Sequence, residues 1–204
     1  LSMPEVVVQI VQHLRPGGLE VVALDLARSA PPGTEVHLVS LEGDIPAAVA
    51  AWPRLRELGD RLHMLGKPPG LVPLLVSRLA RLLRRLGATA VETHHIGPFL
   101  YGGAAARLAG IRRLVQVEHD AWHLDDVQAA RLHRTLVAVL RPRLVAVGGL
   151  VADGLRRRLG AYPVTVIANG VDTVRYRPGD SASARRHLGL PEAARLVGCA
   201  ARME

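Results

Sequence analysis

Val6-Val-Val-Gln-Ile-Val-Gln-His-Leu14 runs into Arg15-Pro-Gly-Gly18 and then into Leu19-Glu-Val-Val-Ala-Leu-Asp-Leu-Ala-Arg-Ser29, and the order of these three pieces decides the fold. β-Branched residues crowd the first piece, as in a strand buried on both faces. A proline and paired glycines then interrupt regular structure, and the third piece spaces its apolar residues as a helix does. A strand that passes through a glycine turn into a helix is the opening unit of a parallel α/β sheet.

The same alternation continues outward along the chain. Strands are predicted at Glu35 to Leu41, Arg61 to Leu65, Thr89 to His94, Leu114 to Glu118, Leu144 to Val147 and Val164 to Ile167. Helical spacing fills the intervals at Ala47 to Gly59, where Pro53 weakens the pattern, and at Leu71 to Leu86, Gly97 to Ala109, Asp126 to Leu140 and Leu150 to Leu159. Helical crossovers join parallel strands, so the fold class is α/β, a Rossmann-like and mainly parallel sheet with helices on both faces. Such sheets bind their ligands beyond the carboxyl ends of the strands. Residues 1–168 form this domain, 169–194 turn polar and proline-bearing as an interdomain segment, and 195–204 open a second domain with the apolar run Leu196-Val-Gly-Cys-Ala-Ala201. The chain thus reads as one domain cut off at the hinge to another.

Of 204 residues, 49% are hydrophobic and 22% charged, a globular rather than a disordered composition. The net charge of +8 is carried almost wholly by arginine, with Lys67 the sole lysine, and it attracts phosphate groups of any origin. The few aromatics, Trp52, Phe99, Tyr101, Trp122, Tyr162 and Tyr176, are too scattered for base stacking, which argues against nucleic acid as a partner. Cys199 is alone, so an intramolecular disulfide and a cysteine zinc site are both excluded, and a cytoplasmic setting is expected. No apolar run approaches the roughly 18 residues of a membrane span, and the N-terminus lacks a signal-peptide pattern. The stretch Leu71 to Leu86 places Leu74, Leu75, Leu79, Leu82, Leu83 and Leu86 on one face and Arg78, Arg81, Arg84 and Arg85 opposite or on its flanks. That basic face is either a solvated surface or a peripheral contact with the anionic inner face of a membrane.

Four polar positions fall at strand ends: Gly17-Gly18, His94-His95, His119-Asp120 and Asn169-Gly170. Paired glycines before a helix leave backbone N–H groups open to an anion. They lack the dinucleotide fingerprint, and Glu20 in the first helical turn would repel a pyrophosphate. Glu20 instead complements the helix dipole or grips ligand hydroxyls. His119, after a strand expected to be buried, reaches the ligand edge. His94 and His95 are adjacent on a strand and point to opposite faces, so they are not expected to share a metal. Asp125, Asp126 and Asp153 are expected at helix N-termini, and Asp172 is expected to lock the turn at Asn169-Gly170.

Val166-Ile-Ala-Asn-Gly-Val-Asp172 followed by Arg175-Tyr-Arg-Pro178 resembles the interdomain segment of retaining glycosyltransferases of the GT4 family. Gly17-Gly18-Leu19-Glu20, His119-Asp120 and Gly198-Cys-Ala-Ala-Arg202 match the family in the same order, so the resemblance extends over essentially the whole chain. It implies the N-terminal, acceptor-side half of a GT-B enzyme that transfers a sugar from a nucleotide sugar to a glycan or lipid-linked acceptor with retention, in cell-envelope or exopolysaccharide synthesis. It implies that Gly17 and Gly18 line the cleft near the donor diphosphate, with Glu20 and Asp120 in the donor and acceptor region. By the same resemblance His119 is the catalytic-site residue beside the transferred sugar, and Arg202 grips the diphosphate. No metal or other cofactor is expected, and this half alone is not expected to turn over. The alternative is a non-catalytic ligand-binding Rossmann module or a relative of the sugar-nucleotide epimerases.

Overall fold

The computed structural model describes residues 5–160 and 162–199. The chain divides into two compact units at Gly170.

The first unit is built on a sheet of seven strands: β1 (Glu5–Val11), β2 (Thr34–Ser40), β3 (Leu62–Met64), β4 (Ala90–His94), β5 (Arg113–Glu118), β6 (Arg143–Ala146) and β7 (Val164–Val166). Every neighbouring pair is parallel, in the order β3-β2-β1-β4-β5-β6-β7. Val8, Ile10 and Val11 of β1 are fully buried, as a central strand covered on both faces requires. On one face α1 (Gly18–Arg28), α2 (Ile45–Ala51) and a 3-10 helix (Pro53–Arg61) bury Ala23, Leu24, Ala48, Leu55 and Leu58 against Val11, Val36 and Leu38. On the other face lie α3 (Leu74–Arg85), then α4 (Ile96–Pro98), a π-helical turn (Phe99–Gly103) and α5 (Ala104–Leu108), and then α6 (Val127–Leu140). There Leu79, Leu83, Phe99, Ala105, Val137 and Leu140 pack with Val8, Ile10 and Val91. Helix α7 (Gly149–Leu159) closes a third, smaller cluster in which Ala152 and Leu155 meet Leu144 and Ala146.

The expected α/β class, the parallel sheet and the helices on both faces are therefore present, with several local differences. Strand β1 stops at Val11 rather than Leu14, and Leu14 turns into the core under α1 and α2. The helix expected over Ala47 to Gly59 is two elements, because Pro53 removes a backbone donor and restarts the chain as a 3-10 helix after Trp52. Within the helix expected at Gly97 to Ala109, Phe99–Gly103 forms a π turn. A Cβ on Gly102 would stand 2.7 Å from Ile10 Cδ1 and from Thr93 Cγ2, so the absence of a side chain lets this turn lie directly on the sheet.

In the second unit the polar stretch holds a short helix, α8 (Ser181–His187), that its composition did not announce. Asp180 caps it, its carboxylate accepting from Ala182 N at 3.0 Å and Ser183 N at 3.2 Å. Asp172 locks the turn that follows it rather than one at Asn169-Gly170, its Oδ1 accepting from Val174 N and Arg175 N, both at 3.0 Å. Leu196 to Cys199 are irregular and exposed, and the rest of the apolar run, Ala200 and Ala201, lies outside the described residues.

Candidate functional site at the carboxyl edge of the sheet

Strand order reverses between β1 and β4: connections run one way to β2 and β3 and the other way to β5, β6 and β7. Such a switch point splays the loops that leave the two central strands and opens a crevice at their carboxyl ends. The loop after β1 carries Gly17 and Gly18, and His94 ends β4 with His95 directly after it.

Gly17 is the N-cap of α1 in an extended conformation, with no side-chain cap. Glu20 is buried, and its carboxylate fills the space that a Cβ on Gly17 would need. His13 Nδ1 lies 3.4 Å from Glu20 Oε1. Glu20 thus complements the positive end of the helix while closing the backbone at Gly17. Gly18 is different: a Cβ there would meet nothing within 4 Å, so its backbone remains approachable.

His119 follows β5 and is half-buried. His94 Nε2 faces two oxygens, Gln9 Oε1 at 3.3 Å and Glu92 Oε1 at 3.2 Å, while His94 Nδ1 lies 3.0 Å from His119 Nε2. Assigning the proton by this network, His94 donates from Nε2 and accepts at Nδ1 from His119 Nε2–H, which leaves His119 Nδ1 as an acceptor. Burial lowers the His119 pKa to about 4, with the His94 and His95 imidazoles adding to it against the pull of Glu118 and Asp120. At neutral pH His119 is therefore an uncharged, oriented imidazole. It stands with His94 beside an apolar cleft of about 230 Å³ floored by Val115, Val117 and Val145. Sugar hydroxyls need polar partners, so the histidine end of this cleft, not its floor, suits a carbohydrate.

Glu118 alternates to the opposite face of β5 and is fully buried. Its Oε1 accepts from Gln116 Nε2 and from His133 Nε2, both at 2.7 Å, and Gln116 Oε1 in turn accepts from Thr93 Oγ1. His123, in a 3-10 turn (Trp122–Asp125), places Nε2 at 3.7 Å from Glu118 Oε2 and Nδ1 at 3.3 Å from Asp120 Oδ1. His95 adopts φ 68 and ψ 169, a region essentially reserved for glycine that costs a residue with a side chain roughly 1–3 kcal/mol. The two histidines diverge as expected for neighbours at a strand end: His94 lines the cleft with Val117 and His119, whereas His95 lies with Glu118 and His123. The His95 ring comes within 5.9 Å of the His119 ring and 6.2 Å of the His123 ring, centre to centre, while His94 also meets His119 at 5.3 Å.

The residues expected from the sequence thus fall into two groups. Gly17, Gly18 and Glu20 lie at the end of β1, His119 and Asp120 lie at the end of β5, and β4 runs between them. Arg202 lies outside the described residues. Asp126 caps α6, accepting from Ala129 N at 2.7 Å, as expected. Asp153 does not cap: Gly148 is the N-cap of α7, and Asp153 pairs within the helix with Arg156 at 3.0 Å. Gln9, Glu118, His123 and His133 escaped sequence reading, since a strand glutamate and a helical histidine carry no local signature. The spacing of Glu118, His119, Asp120 and His123 was the one available hint. On α3 the arginines are exposed, and Arg78 donates to Leu65 O at 2.8 Å.

Sheet order, switch point and polar edge together define a Rossmann-like α/β domain of the kind found in GT-B glycosyltransferases. Residues 16–175 match the model of Glycosyltransferase Family 4, and the chain belongs to that family. It is 30% identical to D-inositol 3-phosphate glycosyltransferase 1 of Catenulispora acidiphila, over 92% of this chain and 49% of that protein. It is 38% identical to the D-inositol 3-phosphate glycosyltransferase of Rhodococcus jostii, over 42% of this chain and 19% of that protein. The chain spans at most about half the length of these relatives. HepE of Anabaena, solved with UDP and glucose, shares the fold with a TM-score of 0.69 at 16% identity, over 91% of this chain and 50% of that one. A glycosyltransferase of Rickettsia africae gives the same TM-score and identity, over 93% and 50%. Among the described residues no helix is long and apolar enough to cross a membrane.

Proposed function

We propose that the chain is the acceptor-side domain of a retaining glycosyltransferase that moves a sugar from a nucleotide-sugar donor to a glycan or lipid-linked acceptor. The observation that carries this reading is the neutral, oriented His119 at the carboxyl edge of the sheet, within the residues matched to the family. In the reaction the anomeric C–O bond to the diphosphate breaks, the acceptor oxygen bonds to the same face of the sugar, and the acceptor proton passes to the departing phosphate oxygen. His119 Nδ1 accepts a hydrogen bond from a hydroxyl of the transferred sugar and holds it for that exchange. The open backbone at Gly18 approaches the diphosphate. Two such domains facing each other complete the site, so the half described by this chain does not turn over by itself.

An anionic acceptor suits the charge of +8 and a groove of about 490 Å³ lined by His63, Arg78, Arg81 and Arg85. The relatives named for D-inositol 3-phosphate make a phosphorylated polyol one acceptor to test alongside lipid-linked glycans. Exposed Leu71 and Leu74 next to the α3 arginines support peripheral contact with a membrane carrying such an acceptor, from the cytoplasmic side. The test is a transfer assay of the full-length protein with UDP-, GDP- and ADP-sugars and both acceptor classes, reading nucleotide release and the anomeric configuration of the product. Acceptor-dependent release from one donor with retained configuration is expected. Silence across the panel would return weight to a non-catalytic binding module.

A further inference from the structure

We propose that His95, Glu118 and His123 form a binding site for one divalent transition-metal ion, zinc by the chemistry of its donors. One ligand atom from each of the three lies within 4.8 Å of the other two. The 3.7 Å between His123 Nε2 and Glu118 Oε2 is close to the roughly 3.4 Å that tetrahedral bonds of about 2.0–2.1 Å impose on neighbouring donors. These two atoms are buried and have no hydrogen-bond partner among the described residues. With its proton on Nδ1 toward Asp120, the His123 Nε2 lone pair faces the Glu118 carboxylate oxygen, an unfavourable arrangement that a cation held by both atoms relieves.

The surroundings are those of a built site. Glu118 Oε1 is fixed by Gln116 and His133, which leaves Oε2 to point at the ion. Asp120 Oδ1 at 3.3 Å takes the Nδ1 proton of His123 and leaves Nε2 as the donor, the usual support for a metal-bound imidazole. His95, whose backbone is held at φ 68, brings its ring centre within 6.2 Å of that of His123. Two imidazoles and one carboxylate select zinc over magnesium or calcium, which take oxygen donors. Three protein ligands leave a fourth position for water. The ion would tie the ends of β4 and β5 to the Trp122–Asp125 turn, and so would hold the loop that carries His119 and Asp120 from the side opposite the cleft. This site does not depend on the transferase reading, because zinc affinity is measured without any sugar.

The experiment is calorimetric titration of chelator-treated protein with zinc chloride, alongside cobalt loading followed by visible absorption and melting temperature with and without zinc. One ion per chain, tetrahedral cobalt bands and a rise in melting temperature are expected. Stoichiometric binding should be lost in His95→Ala and His123→Ala, weakened about 10–100-fold in His133→Asn, and kept in His187→Ala on the exposed face of α8. Circular dichroism checks each fold, and His95 and His123 are both only half-buried. Absence of stoichiometric zinc, or equal uptake by His95→Ala and wild type, overturns the site, whatever the transfer assay returns.

Discussion

At His95 the chain holds a backbone conformation that glycine would adopt freely, with φ 68 and ψ 169. A conformation of this kind persists only where the surroundings over-determine it, which ties the strain to what the ring meets. In metal-free protein His95→Gly should raise stability by about 1 kcal/mol, the relieved strain exceeding the extra chain entropy of glycine, as read by urea denaturation. An unchanged or lower stability would show that the ring contributes more by packing than its backbone costs. A second pair of histidines predicts the response to acid. His37 Nδ1 lies 3.1 Å from His63 Nε2, and burial lowers both pKa values below 6.5. Glu35 at 3.0 Å opposes the shift of His37 while Arg61 adds to it, and His63 faces His37, Arg85 and the opposing Asp60. Because the folded values are depressed, the unfolded chain binds more protons as pH falls. This contribution is complete above pH 6.5 and is lost as pH drops through the folded values. Melting temperature should therefore fall below that pH, and His63→Asn should flatten the fall.

At the scale of elements, the two adjacent glycines before α1 do different work. Gly17→Ala forces the Glu20 carboxylate from its place and should destabilise by about 1 kcal/mol, the upper end of a lost helix-dipole interaction. Gly18→Ala meets open space in the first helical turn and should leave stability the same or higher. If the Gly18 backbone approaches the donor diphosphate, the same change should raise KM for the nucleotide sugar, and equal KM values would remove Gly18 from the site. Gly102→Ala drives a methyl into Ile10 and Thr93 and should cost about 1–3 kcal/mol in chemical denaturation. Elements whose order is set by local pattern were legible in the sequence: the β-branched run of β1, the glycine break before α1, and the one-sided leucines of α3. The π turn was not, since it follows from close approach of Gly102 to the sheet, a long-range condition. The Glu118 network was hidden for a similar reason. It joins β4, β5, the Trp122–Asp125 turn and α6, and no single segment of sequence displays it.

At the scale of the molecule, one topological fact organises the candidate site. Reversal of strand order between β1 and β4 brings the glycine turn and the two histidine-bearing strand ends to one edge. The place of Gly17, Gly18 and His119 at this edge was legible in the sequence because the alternation of strands and helices sets them after the carboxyl ends of strands. The partners that orient His119 were not legible there, since Gln9 and Glu92 act through His94 from within the sheet. The central claim is that this edge handles the transferred sugar through His119. It is tested most directly by comparing wild type with His119→Ala in the full-length protein, measuring sugar-transfer turnover and melting temperature together. Loss of a hydrogen bond of about 1.4 kcal/mol made in the transition state predicts a fall in kcat of at least about tenfold with an intact fold. Wild-type turnover in a folded His119→Ala protein would contradict the account.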